Sequence, residues 1–389
     1  MNFDKAIDRR KTESVKWRRW DEDVLAMWVA DTDFEAPQEV IDAINKRVEH
    51  GIFGYGFPPD GLNEVVTQRL KRLYNWDVDV EQVQYVPGIV TGFNVAVRGL
   101  CKPGEEVIYQ VPAYPPFIRA PHSAGLQGIQ NEMFVGKSGQ YEVDFEAFEQ
   151  EIIDNKVSLF ILCNPHNPTG RVYRQDELEK FAEICLRNDV IIVSDEIHCD
   201  ILYDGRKHIP IASLGKEVSD ITITLQAPSK TFNVAGLHTS VAVIQNPYLR
   251  ERYNAYRAGI VSSPCILGMY AAKAAYEHGE PWLEKQLSYL QANRDLIDEA
   301  LRNELKPIKW CKPEATFLAW LDCRELGING SLQEYFLEKV KLGLNDGPEF
   351  GAVGQGFVRL NFGTTRDNIV LAIEKMKETL EKLYCICLK

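Results

Sequence analysis

Nowhere does the chain hold an uninterrupted apolar run of the roughly 18 residues that a bilayer-spanning helix needs, which argues against a membrane protein. Its first residues, MNFDKAIDRRK, lack the apolar stretch of a secretory leader. The nine cysteines are odd in number, scattered, and never spaced as C-x-x-C. That usage argues against a disulfide scaffold and fits reduced thiols in a cytosol. Cys385 and Cys387 stand close together near the end and carry no argument. A positive surplus is also missing: Lys and Arg total 44 against 56 Asp and Glu, a net charge of −12. This disfavours nucleic acid or an anionic membrane as the main partner. Repeats and low-complexity segments are absent. One concentrated basic stretch remains, RRKTESVKWRRW, from Arg9 to Trp20. It has two readings, a phosphate-binding arm or an arm packed on the rest of the protein. Asp8, Glu13 and Asp21 interrupt or flank it and favour the second.

What is present is an alternation. VQYVP, EVIYQVP, GIQNEMF, VSLFILCNP, DVIIVSDE, DITITLQ and TSVAVIQ read as seven short strands. QDELEKFAEICLRN is an amphipathic helix with apolar positions 178, 181, 182, 185 and 186 on one face. Short β-branched runs between helices predict an α/β fold with a buried, mostly parallel sheet covered on both faces. Beyond about residue 264, long helical stretches surround ATFLAWLD and FVRLNFG, an α+β pattern. We expect a large domain over 46–285. A small one would combine an N-terminal arm, 1–45, with 286–389, since chain ends often lie close.

Chemistry gathers where those strands end. VPGIVTGFN, from Val86 to Asn94, follows a strand and opens a helix, a ready cradle for an anion. It can equally be a plain turn. NPHNPTGR follows VSLFILC and places Asn164 and Asn167 in a proline-fixed loop, where α/β sheets bind ligands. Asp195 ends DVIIVSD, so its carboxylate should be buried and in need of a cation. His198, Cys199 and Asp200 raise a metal reading, which we set aside because neighbours on an extended chain point apart and no second ligand cluster exists. Lys230 follows ITITLQ closely, and a semi-buried lysine can lose its proton and act as nucleophile or base. An isolated Arg359 lies in FVRLNFG. A carboxylate for a pyridine nitrogen, a lysine for an imine and an anion cradle are together what pyridoxal phosphate requires.

In NPHNPTG, SDE, SKTFNVAGL and R-x-N, and along nearly its whole length, the chain resembles the class I/II aminotransferase superfamily of fold-type I pyridoxal-phosphate enzymes. MWVADTDF, FGYG, PAYPPF, SDEIHCDI and APSKTFNVAGLH most resemble its cystathionine β-lyase or C–S lyase branch, the MalY/PatB type. The resemblance implies the following roles. Lys230 would carry the cofactor and later remove the substrate Cα proton. Asp195 would pair with the ring nitrogen, Asn167 would bond the ring 3-oxygen, and Tyr114 would stack on the ring. Ile89 and Val90 would offer backbone N–H groups to the phosphate, helped by Ser229 or Thr231. Tyr55 would reach the phosphate from the second subunit of a homodimer. Arg359 would clamp the substrate carboxylate in a bidentate grip that lysine cannot copy. Trp28, Val29 and Ala30 would line the substrate mouth.

Some positions depart from the aminotransferase pattern. His238 stands where many have a phosphate-binding arginine, and His198 where they often have a tyrosine on the 3-oxygen. Both agree with the lyase branch. Thr32 replaces that branch's common methionine. The implied activity is β-elimination of cystathionine or a related cysteine thioether to pyruvate, ammonia and a thiol in the cytoplasm. The alternatives are an aminotransferase with the same lysine, aspartate and arginine, and a lyase with a second, regulatory protein-binding role.

Overall fold

The computed structural model describes residues 2–387, with side chains through residue 383; the side chains of Cys385 and Cys387 lie outside it. An eight-stranded sheet is its centre. The order is Val83–Val86, Ser240–Val243, Thr222–Gln226, Ile191–Asp195, Val157–Cys163, Glu106–Val111, Gly128–Val135 and Tyr141–Val143. The sheet therefore has one strand more than the expected seven. The addition, Tyr141–Val143, is a three-residue antiparallel edge strand paired to Gly128–Val135. Three residues alternating with polar neighbours leave no periodic signal to read.

The five strands from Thr222–Gln226 through Gly128–Val135 pair in parallel. Ser240–Val243 runs antiparallel to both its neighbours, so Val83–Val86 points the same way as the parallel set. Val157–Cys163 shows why these sequences form strands here. Leu159 and Ile161 pack into one core cluster and Phe160 and Leu162 into another, on opposite faces. Successive side chains alternate across a strand, so a sheet covered on both sides selects an unbroken apolar run. The helix Gln175–Arg187 buries Leu178, Phe181, Ala182 and Cys185 as the periodicity predicts; Leu186 is only half-buried at the rim of that face.

Beyond this layer lies a three-stranded antiparallel sheet, with Phe357–Asn361 between Leu318–Asp322 and Asn345–Asp346. Its register sets Arg359 opposite both Trp320 and Asn345. The N-terminal residues join this region. Leu25–Ala26 pairs in parallel with Leu342–Gly343, and Leu25, Met27, Phe34 and Val40 share a core with Phe317, Leu342, Val358 and Leu360. That core also takes in Phe232, two residues beyond Lys230, so the sequence's start and end are packed against the lysine-bearing loop.

Candidate active site

Three neighbouring parallel strands end in step, with Cys163 opposite Asp195 and Asp195 opposite Leu225. Their carboxyl ends open on a cavity of about 520 Å³. Asn167, Asp195, His198, Ser229, Lys230, Tyr114, Ile89, Val90, Trp28, Val29, Ala30 and Arg359 all line it. So does His238, whose backbone is left-handed at φ 48°. Residues scattered over 332 positions therefore share one space, because the sheet order brings their strand ends together.

Asp195 is buried with few partners. Its Oδ1 accepts from the Ile197 N–H at 3.0 Å. Burial pushes its carboxyl up to about 7, against the pull of that hydrogen bond and of Lys230. Lys230 is moved the opposite way. Desolvation lowers its ammonium to about 8, with Asp31 and Asp195 opposing and Arg359 assisting. Its Nζ donates to the Ala30 carbonyl at 2.6 Å. Burial also lowers His198 to about 3, helped by Lys230 and Arg359, so its ring is neutral. Its Nδ1 finds no partner among the described residues. Burial likewise raises the Tyr114 phenol above its ordinary value.

Arg359 is nearly saturated before any ligand arrives. It donates to Asn167 Oδ1 at 3.0 Å, to the Trp28 carbonyl at 3.0 Å and to Asn345 Oδ1 at 2.7 Å. The guanidinium lies 4.9 Å from the Phe350 ring centre, and only its Nε is left without a partner among the described residues. Burial lowers it to about 10, still fully charged at neutral pH.

The anion cradle is the start of the helix Ile89–Leu100. Gly88 precedes it at φ 108°, a region that other residues rarely enter, so glycine is required for the turn. The first N–H groups of a helix have no internal partner and carry its positive end. Ile89 and Val90 present those groups at the cavity.

Two expectations need correction or qualification. Thr231 does not help at the phosphate end: its hydroxyl donates to Asp200 Oδ2 at 2.9 Å, and Asp200 in turn pairs with the buried Arg69. Each step along a helical turn rotates the side chain by about 100°, and two steps past Ser229 the hydroxyl meets Asp200 rather than the cavity. Tyr55 lies outside the cavity, fully exposed, beside Phe57, Tyr270 and Lys273 in a separate surface hollow. No group of three or more potential metal ligands is present among the described residues. Asn164 turns from the cavity, its Oδ1 accepting from the Tyr173 N–H at 3.2 Å. The arm Arg9–Trp20 packs on the protein: Arg9, Lys16 and Trp17 all bond Asp33.

Sequence reasoning missed Asn345, which lines the cavity and bonds Arg359. Only the cross-strand register reveals it. Asn361, quoted from the sequence only as the end of R-x-N, acquires a role here: its Nδ2 donates to the Val29 and Asp31 carbonyls.

The residues fit a phosphorylated pyridine aldehyde. A buried carboxylate lacks a close cation, a buried imidazole nitrogen lacks a partner, a lysine is eased toward its neutral form, and a helix start offers free N–H groups. A family profile described as aminotransferase class I and II matches residues 22–376. Cystathionine beta-lyase PatB of Bacillus subtilis (strain 168) is 39% identical over 388 residues, covering 98% of this chain and all of that protein. Among solved structures, a protein named OvoB is 41% identical with a TM-score of 0.93, covering 98% of this chain and 99% of that one. Cystalysin from Treponema denticola is 31% identical with a TM-score of 0.94, with the same coverage. With a matching profile over most of its length and relatives aligned end to end, the chain belongs to the class I and II aminotransferase family.

Proposed function

We propose that the protein is a pyridoxal-phosphate-dependent carbon–sulfur β-lyase acting on cystathionine or a related cysteine thioether. The observation that carries the cofactor is the opposed pair across one cavity: Asp195 raised by burial and Lys230 lowered by it. Cystalysin, similar over nearly the whole chain, contains pyridoxal 5′-phosphate, and PatB is a cystathionine beta-lyase. Lys230 would hold the cofactor covalently, Asp195 its ring nitrogen, Asn167 and His198 its ring-oxygen side. Ile89, Val90, Ser229 and His238 would hold its phosphate, with Tyr55 of a second copy completing the site in a homodimer. When bound, the cofactor supplies the electron sink that makes the substrate Cα proton removable.

This chain's residues do the rest. Arg359, held by Asn167 and Asn345, would bind the α-carboxylate through its charge and its unpartnered Nε, and would exchange one of its present bonds to make a second contact. Lys230, near its neutral form at pH 8, accepts the Cα proton at Nζ. Loss of the thiolate from Cβ, with water taken up, gives pyruvate, ammonia and a thiol. With a neutral His198, and with His238 standing where many aminotransferases have an arginine, the helix start would supply most of the positive field around the phosphate.

The same reading divides the chain into a large domain, 46–285, and a small one, 1–45 with 286–389. It places the protein in the cytoplasm, in keeping with seven described cysteines that are all free. No helix among the described residues is long and apolar enough to cross a membrane. The test is purified protein with pyridoxal phosphate and cystathionine, assayed for pyruvate and free thiol. Both should form without an added keto acid. If neither forms while an added keto acid is converted to an amino acid, the protein is an aminotransferase and the reading falls.

A further inference from the structure

The basic arm Arg9–Trp20 has no part in the reaction described so far, yet it ends directly behind the site. Lys16 is completely buried, a costly place for an ammonium unless it is paired. Its Nζ lies 2.8 Å from Asp33 Oδ2 and donates to the Asp31 carbonyl at 3.4 Å. Arg9 bridges the same two residues, at 2.7 Å to Asp33 Oδ1 and 2.6 Å to Asp31 Oδ2, and donates to the Thr32 carbonyl at 3.1 Å. The Trp17 indole N–H adds a bond to Asp33 Oδ1 at 2.7 Å. In return the Trp28 indole N–H donates to the Lys16 carbonyl at 3.0 Å. The arm thus grips the segment Trp28–Asp33 at both ends.

That segment holds the reacting groups by its backbone. The Ala30 carbonyl accepts from Lys230 Nζ at 2.6 Å, and the Trp28 carbonyl accepts from Arg359 at 3.0 Å. Asn233, three residues past Lys230, donates to the Thr32 and Phe34 carbonyls at 3.0 and 2.8 Å. The segment is not a regular strand or helix at these residues, so its own ladder cannot fix those carbonyls. The arm's side chains share that task with Asn361, which bonds the Val29 and Asp31 carbonyls, and with the Asp33 N–H, which donates to the Gly363 carbonyl.

We propose that Lys16 and Arg9 are positioning residues for Lys230. By locking Asp31 and Asp33 they hold the Ala30 carbonyl as a dock for the lysine ammonium, which keeps the free amine at its station whenever it is not bonded to the cofactor. The inference rests on Lys230 being the cofactor lysine, and its first test needs no cofactor.

Strip the cofactor from wild type, Lys16→Met, Lys16→Arg and Arg9→Gln. React each with trinitrobenzenesulfonate at one pH, follow modification of Lys230 by peptide mass, and record each melting temperature. Releasing a charge-assisted hydrogen bond should speed modification of Lys230 roughly tenfold in Lys16→Met. Arg9→Gln should give a smaller change in the same direction, and Lys16→Arg should stay near wild type. In the reloaded enzymes, below their melting temperatures, kcat should fall by about the same factor, while affinity for an unreactive substrate analogue holds within about threefold. Lysine reactivity and kcat at wild-type levels in Lys16→Met would overturn the proposal, whatever the fall in melting temperature. So would a loss confined to substrate affinity. Should Lys16→Met fail to fold, Arg9→Gln decides by the same criteria, since it leaves the Lys16–Asp33 pair intact. If wild-type protein forms no yellow adduct with pyridoxal phosphate, the functional reading fails separately, and the labelling result still reports on the dock.

Discussion

Asp33 and Asp195 are both buried, at 6% and 3% exposure, and burial has opposite outcomes for them. At Asp33 burial pushes the carboxyl up, but Lys16 and the Trp17 indole more than offset it, so the group sits below its ordinary value. At Asp195 burial is answered only by one backbone N–H and a more distant Lys230, so the group rises to about 7. One region spends its buried charges on each other; the other leaves them facing a cavity. Paired, a buried carboxylate becomes a fastener. Unpaired, it becomes a socket for a cation that is not part of the chain.

The sharpest way to break this contrast is to empty the cavity of its amine. Under the proposed roles, Lys230→Ala should lose about 10⁴-fold in kcat, since it would remove both the cofactor's attachment and the general base. A pyruvate assay with cystathionine checks it, and near-normal turnover would move the chemistry to another residue. Next comes the fastener. Asp33→Asn leaves the buried Lys16 with only the Asp31 carboxylate, 3.8 Å away, and should cost about 3 kcal/mol of stability by denaturant unfolding. In the wild type, a carboxyl lower in the folded state than in the unfolded chain stabilises above its unfolded value, near pH 3.8, and loses that contribution as pH falls through the folded one. The stability gap between wild type and Asp33→Asn should therefore close in acid.

A smaller effect is expected for Arg359→Lys. The lysine keeps the charge but loses the fork that Asn167 and Asn345 align, and kcat/KM should fall roughly 10- to 100-fold. The smallest effect sharpens the comparison from the other side. Asp195→Asn in cofactor-free protein should raise the melting temperature by about a few degrees, because a carboxylate that costs stability is removed. In wild type the folded carboxyl stays protonated between about pH 3.8 and 7 while the unfolded one is ionised, so stability falls as pH rises across that window. The mutant's advantage should grow from pH 4 to 7 and then level off. Melting curves across that range test it, and an advantage independent of pH would contradict the buried-acid account. The same substitution should cost activity once the cofactor is present.

The sequence is informative where function repeats the logic of secondary structure. Asp195, Asn167 and Lys230 each follow an apolar run, and parallel strands must place those ends on one edge. The helix that starts at Ile89 is marked by the glycine before it. Partners set by long-range packing leave no such mark. Asn345 meets Arg359 only through antiparallel register, and Asn361 reaches Val29 across 332 residues. Thr231 donates instead to Asp200, which is held in place by Arg69 from far away in the sequence. The arm's charges read as interrupted by acids nearby, whereas their partners, Asp31 and Asp33, lie past the next strand.

The grip on Lys230 and Arg359 by the carbonyls of Ala30 and Trp28 bears on how the pocket could evolve. A carbonyl is retained whatever side chain its residue carries. Trp28, Val29 and Ala30 line the cavity with those same side chains. Shape and anchorage are thus written into different atoms of one segment, so side chains at positions 29 and 30 can change the cavity's outline while the carbonyls that hold Lys230 and Arg359 stay in place.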